Sequence, residues 1–101
     1  MILRDRITVE HDAGEDTENV RAQVIPLRTS EKVNQNIGVQ ITSAHVTAYM
    51  HTEADIESRG CQAITWRDVR WQLEGFVEPW TDGAGRLHHY QGTFARYQPS
   101  G

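Results

Sequence analysis

Five histidines and a lone cysteine, Cys61, are the residues of this chain best suited to chemistry. Imidazole and thiolate hold zinc-type ions when two or more of them share a face at chelating spacing. His88 and His89 are neighbours, and neighbours on a regular strand point to opposite faces. His45 and His51 share a face but stand too far apart along an extended chain to chelate together. Neither HxH nor HExxH occurs. No metal site and no cofactor are therefore expected. Arg59 near Cys61 would lower a thiol pKa, but a single small residue at a strand start reads as packing.

Acid–base catalysis needs a carboxylate in an apolar setting. Most acids here fall in polar loops, and Glu74 and Glu78 face away from Trp71 and Leu73. Ser30, Ser43, Ser58 and Ser100 lack the nucleophile-elbow pattern. The stretch "DGAGR", 82–86, contains GxG without the strand-to-helix setting of a phosphate loop. No catalytic residue is assigned, and the chain is not read as an enzyme.

All three tryptophans, Trp66, Trp71 and Trp80, lie in "ITWRDVRWQLEGFVEPW". With Arg67, Arg70 and Arg86 they would suit a platform that stacks single-stranded nucleic acid or sugar rings. Against that, Trp71 shares a face with Val69, Leu73 and Val77, and Trp66 with Ile64, which is a core pattern. Trp80 follows Pro79 in a turn and stays open as a contact to a partner or another subunit.

These residues need elements to hold them, and the elements are short strands. Leu3, Asp5, Ile7 and Val9 alternate with Arg4, Arg6, Thr8 and Glu10. Glu10 to Asn19 is an acidic loop, expected to be extended and wet because like charges repel. Val20, Ala22 and Val24 mark a second strand, closed by Pro26. Arg28 to Ser43 is polar, amide-rich and broken by Gly38; it reads as a long loop between strands 2 and 3, with Ser30 before Glu31 as a weak helix cap. Ala44, Val46, Ala48 and Met50 alternate again. A polar stretch, 51–60, has room for one helical turn. Cys61 to Trp66 and Val69 to Val77 form a hairpin around Arg67–Asp68, with a bulge expected at Gly75. A Gly-rich turn leads to a last strand, Leu87 to Tyr97. The expectation is a single domain over 1–101, all-β, a small antiparallel β-barrel of about six strands.

At 101 residues and 38% hydrophobic the core is lean, which favours oligomerisation. The net charge of −4 argues against tight general binding to a phosphate backbone. A single cysteine excludes an intrachain disulfide. Charges at Arg4, Asp5 and Arg6 leave no apolar leader, and no run is long enough to span a membrane. The protein is expected to be soluble and unsecreted, with no membrane partner.

The order of elements in the C-terminal half (a strand ending in Trp66, the turn "RD", "VRWQLEGFVEPW", a Gly-rich turn and a strand carrying His88, His89 and Arg96) resembles the head-closure, or stopper, proteins of long-tailed bacteriophages. The opening "RDRITV" and the long loop fit the same pattern. Asp68 stands where many members carry glycine. The resemblance implies a structural virion protein at the head–tail junction, assembled in the bacterial host cytoplasm. It implies a homo-oligomeric ring, commonly a dodecamer, between a portal-side adaptor and a tail terminator or other tail protein. Genomic double-stranded DNA would pass through the ring without sequence-specific binding. The loop would point into the channel, which makes Glu31, Lys32, Val33, Asn34, Gln35, Asn36, Ile37 and Gly38 the gating residues. Trp80, Glu78, Arg86, Asp12, Glu15 and Asp16 are the candidate subunit or partner contacts. The alternative is a binding module for single-stranded nucleic acid or carbohydrate built on the tryptophans.

Overall fold

The computed structural model describes residues 3–27, 30–34 and 39–100, with the backbone alone at 30–34, 39–43 and 97–100. Its strands are β1 (Asp5–Glu10), β2 (Thr17–Pro26), β3 (Ser30–Asn34), β4 (Val39–Met50), β5 (Ala63–Trp66), β6 (Val69–Thr81) and β7 (Leu87–Ser100). A 3-10 turn (Thr52–Ala54) and a one-turn helix, α1 (Ile56–Arg59), link β4 to β5. All pairings are antiparallel, in the order β2-β1-β5-β6-β7-β4-β3. An added β2–β4 pairing closes six of the strands into a barrel, as the strand count and spacing had suggested. Closure removes the free edges of those six strands within the barrel, while β3, paired with β4, ends the strand order.

Alternation decides what lies inside. Ile7 and Val9 on β1, Val20, Ala22 and Val24 on β2, and Val46, Ala48 and Met50 on β4 are all buried. Ile64 and Trp66 on β5, Trp71 on β6, and Tyr90 and Phe94 on β7 complete the filling. Their intervening neighbours face outward, because successive Cβ atoms leave a strand on opposite sides. Val69, Leu73 and Val77 are half-buried and pack on this core, as their shared spacing on β6 implies.

The expected loop over 28–43 is mostly strand. β3 pairs with β4 from Ser30↔Ser43 to Asn34↔Val39. β2 pairs with the same edge of β4 further along, from Pro26↔Val46 to Ala22↔Met50. A Leu27 N–H to His45 carbonyl bond of 2.7 Å carries the ladder across the join. β2 and β3 therefore share one edge of β4 as their partner. Amide-rich sequence hid this, because Asn, Gln and Gly weaken the strand signal that cross-strand pairing then overrides. No helical turn forms at Ser30–Glu31, which lie in β3. The far half of the hairpin lies outside the closed ring, flanked on its other side by β7 residues 97–100.

β6 also runs further than expected, through Pro79 and Trp80 to Thr81. Between the pairs Glu74↔Thr93 and Glu78↔Gln91, three residues of β6 face one of β7. Gly75, at φ +77°, takes up the turn in this bulge, a conformation that a side chain disfavours. The Arg67–Asp68 turn has both residues left-handed, at φ 52° and 63°, as the type I′ hairpin geometry requires. Among the described residues no helix is long and apolar enough to cross a membrane.

Candidate functional site

The hairpin formed by β3 and the first half of β4 is where four of the expected gating residues fall. Glu31, Lys32, Val33 and Asn34 lie on β3, opposite Thr42, Ile41, Gln40 and Val39. Gln35, Asn36, Ile37 and Gly38 lie outside the described residues. The four described positions thus sit on a strand paired with β4 instead of in a loop.

The candidate contact residues separate into two regions. Trp80, Glu78 and Arg86 belong to the β6–β7 arm. Trp80 is 46% exposed and stacks on His89, with centroids 6.0 Å apart and planes within 8°. Tyr49 on β4 meets the other side of this group, 6.0 Å from His89. Three rings thus cross β4, β7 and β6 on the outer face. Glu78 is exposed beside them. Arg86 pairs with Asp82 at 3.4 Å, and the Asp82 carboxylate also accepts from the N–H groups of Ala84 and Arg86, so the pair organises the turn. Phe76, on the bulge, is 87% exposed. By parity it shares the outward face of Glu74 and Glu78.

Asp12, Glu15 and Asp16 form the second region, and it is anchored instead of extended. Buried His11 bridges it: its Nδ1 lies 2.8 Å from the Gly60 carbonyl and its Nε2 2.7 Å from Thr17 Oγ1. Arg59 donates to the Glu15 carbonyl and to Thr17 Oγ1. The Asp12 N–H donates to the Arg59 carbonyl at 3.1 Å. One buried imidazole and one guanidinium thus hold the loop against charge repulsion, leaving its carboxylates on an exposed rim. His11 gave no sequence signal beyond its type, since its partners lie on distant segments.

The tryptophans divide as their strand positions suggest. Trp66 and Trp71 are 9% and 7% exposed and pack against each other at 6.3 Å. Arg67 covers the Trp66 ring at 4.6 Å and Arg96 the Trp71 ring at 5.5 Å. Neither indole offers a free face for a ligand. Cys61 is buried, and that burial pushes its thiol up to about 12, so Arg59 does not activate it.

A cleft of about 530 Å³ runs beside β1, lined among others by Arg4, Arg6 and Arg67. Asp5, Glu18 and Asp68 line it too, so its formal charges cancel. That balance suits neither a phosphate nor a cation. Among the described residues no cluster of three or more His, Cys, Asp or Glu could hold a metal ion.

His88 and His89 depart from the expected opposite facing. Trp80 pairs with His89 but Thr81 pairs with Leu87, so His88 is an extra residue on β7. Such a bulge turns neighbouring side chains to one side. The two Nδ1 atoms come within 2.9 Å and the rings meet edge to face. Burial, then the neighbouring His88 ring, lowers the His89 pKa from its ordinary value.

Compared with known protein families, curated proteins and solved structures, the chain matches none.

Proposed function

We propose that the chain is a structural subunit of a ring in the head–tail connector of a long-tailed bacteriophage, joining a portal-side adaptor to the tail. The observation that carries this reading is the hairpin of β3 and β4, set outside a closed barrel. A closed barrel is a rigid block with no edge to spare, and five paired positions of arm extend its reach by roughly 16 Å at 3.3 Å per residue. In a ring of such blocks the arm is the part able to enter a central channel. Its sequence suits that place: Lys32 is the sole cation from 29 to 43, so the wall would not hold sliding DNA. Phe76, Trp80 and Glu78 on one arm, and the Asp12, Glu15 and Asp16 rim, give the block surfaces for neighbours.

The binding-module alternative loses Trp66 and Trp71 to the core and keeps Trp80 alone. A direct test is electron microscopy of cognate portal–adaptor complexes mixed with the purified chain. A ring of added density below the adaptor is expected. Failure to bind such complexes at any stoichiometry would overturn the proposal. Deleting 35–38 should leave the barrel folded and let packaged DNA escape; full genome retention would remove the gating role.

A further inference from the structure

We propose that His88 and His89 form a bidentate site for a divalent transition-metal ion of the copper and nickel kind, on the outer face of the β6–β7 arm. The argument starts from the bulge. A regular strand would have separated these imidazoles; the extra residue at His88 brings both Nδ1 atoms to 2.9 Å. Metal–imidazole bonds are about 2.0–2.1 Å long. An ion at that distance from both nitrogens would see them at about 90°. That is the cis angle of square-planar and tetragonal ions, the geometry of Cu2+ and Ni2+. A tetrahedral ion would want the nitrogens roughly 3.3–3.4 Å apart, so Zn2+ fits less well.

The surroundings fix one ligand and leave the other open. His89 is held by the stacked Trp80 ring and by Tyr49, which limits its rotation. His88 is exposed, giving an ion a path from solvent. Without an ion, one Nδ1–H can donate to the other Nδ1. Binding requires both rings to carry their proton on Nε2, a tautomer shift that releases no proton when both are neutral. Acid competes by protonating the imidazoles, so affinity falls as pH falls. With two protein nitrogens, the remaining coordination positions go to water or to a donor from a bound partner. The site stands independently of the connector reading.

The test uses the full chain and CuCl2 near neutral pH. Trp80 touches His89, so its fluorescence should fall saturably and recover with a chelator. Electron paramagnetic resonance should show a tetragonal signal coupled to two nitrogens. Affinity should drop at least about tenfold in His88→Gln and in His89→Gln, with Ni2+ weaker than Cu2+ and Zn2+ weakest. Trp80→Phe should lose the quenching and keep the resonance signal. Near-UV circular dichroism of Trp66 and Trp71 checks that each variant is folded. Unsaturable quenching, or equal affinity in the folded double glutamine variant, would overturn the site.

Discussion

His11 shows how much one buried polar side chain can organise. It is 3% exposed and bonded at both ring nitrogens, to the Gly60 carbonyl and to Thr17. His11→Ala removes two hydrogen bonds worth about 1 kcal/mol each and strands the Gly60 carbonyl, so a loss of about 2–3 kcal/mol is expected in urea denaturation. The tryptophans give a contrast of the same kind. Trp71→Ala should cost about 3–5 kcal/mol, whereas Trp80→Ala should cost about 1 kcal/mol or less. Equal losses would contradict the assignment of Trp80 to the surface. Cys61 supplies a pH dependence. Its thiol ionises near 9.0 when unfolded but only at about 12 when folded. The stability it lends is whole below pH 9 and declines as pH rises from 9 towards 12, because the unfolded thiol ionises first. Cys61→Ala should flatten that decline, and in the native protein Cys61 should resist thiol reagents until the chain unfolds.

At the scale of elements, the join between α1 and β5 leaves no room for a side chain at Gly60. Gly60 lies at φ +72°, ψ −177°, a region that is nearly exclusive to glycine. A Cβ there would stand 2.0 Å from Asp12 Oδ2. Gly60→Ala should destabilise by about 2 kcal/mol or more, through both strain and clash. Asp12→Gly in the same chain should return the clash part, so a thermal-melt double-mutant cycle should show coupling between these positions. The β6 and β7 bulges carry a second lesson. The β7 bulge displaces a residue that a strict period of two would have placed elsewhere, His88 beside His89, whereas on β6 Phe76 keeps the outward face of Glu74 and Glu78. Gly75 announced the first bulge in the sequence, whereas nothing in "RLHHYQ" announced the second. The long hairpin was illegible for a related reason. Its sequence is rich in Asn, Gln, Ser and Thr, and the signal of pairing then lies in the partner strand, not in the segment itself.

For the whole molecule, closure is the decisive event. It comes from the β2–β4 pairing, Ala22↔Met50 to Pro26↔Val46, which seals six strands into one wall. Val24→Lys would place a charge in that seam, at a residue that is 7% exposed, and should abolish cooperative unfolding as seen by tryptophan fluorescence. The sequence by itself determined the all-β class, the inward residues of β1, β2, β4 and β5, the Arg67–Asp68 turn and the burial of Trp66 and Trp71. All of these follow from local periodicity, since a side chain's facing on a regular strand depends only on its parity. The tertiary structure alone decided that 30–34 and 39–43 are strands, that His11 and Arg59 anchor the acidic loop, and that His88 and His89 meet. Those outcomes depend on which distant backbone lies opposite, and on where an extra residue breaks the parity. Neither is written in the composition of any one segment.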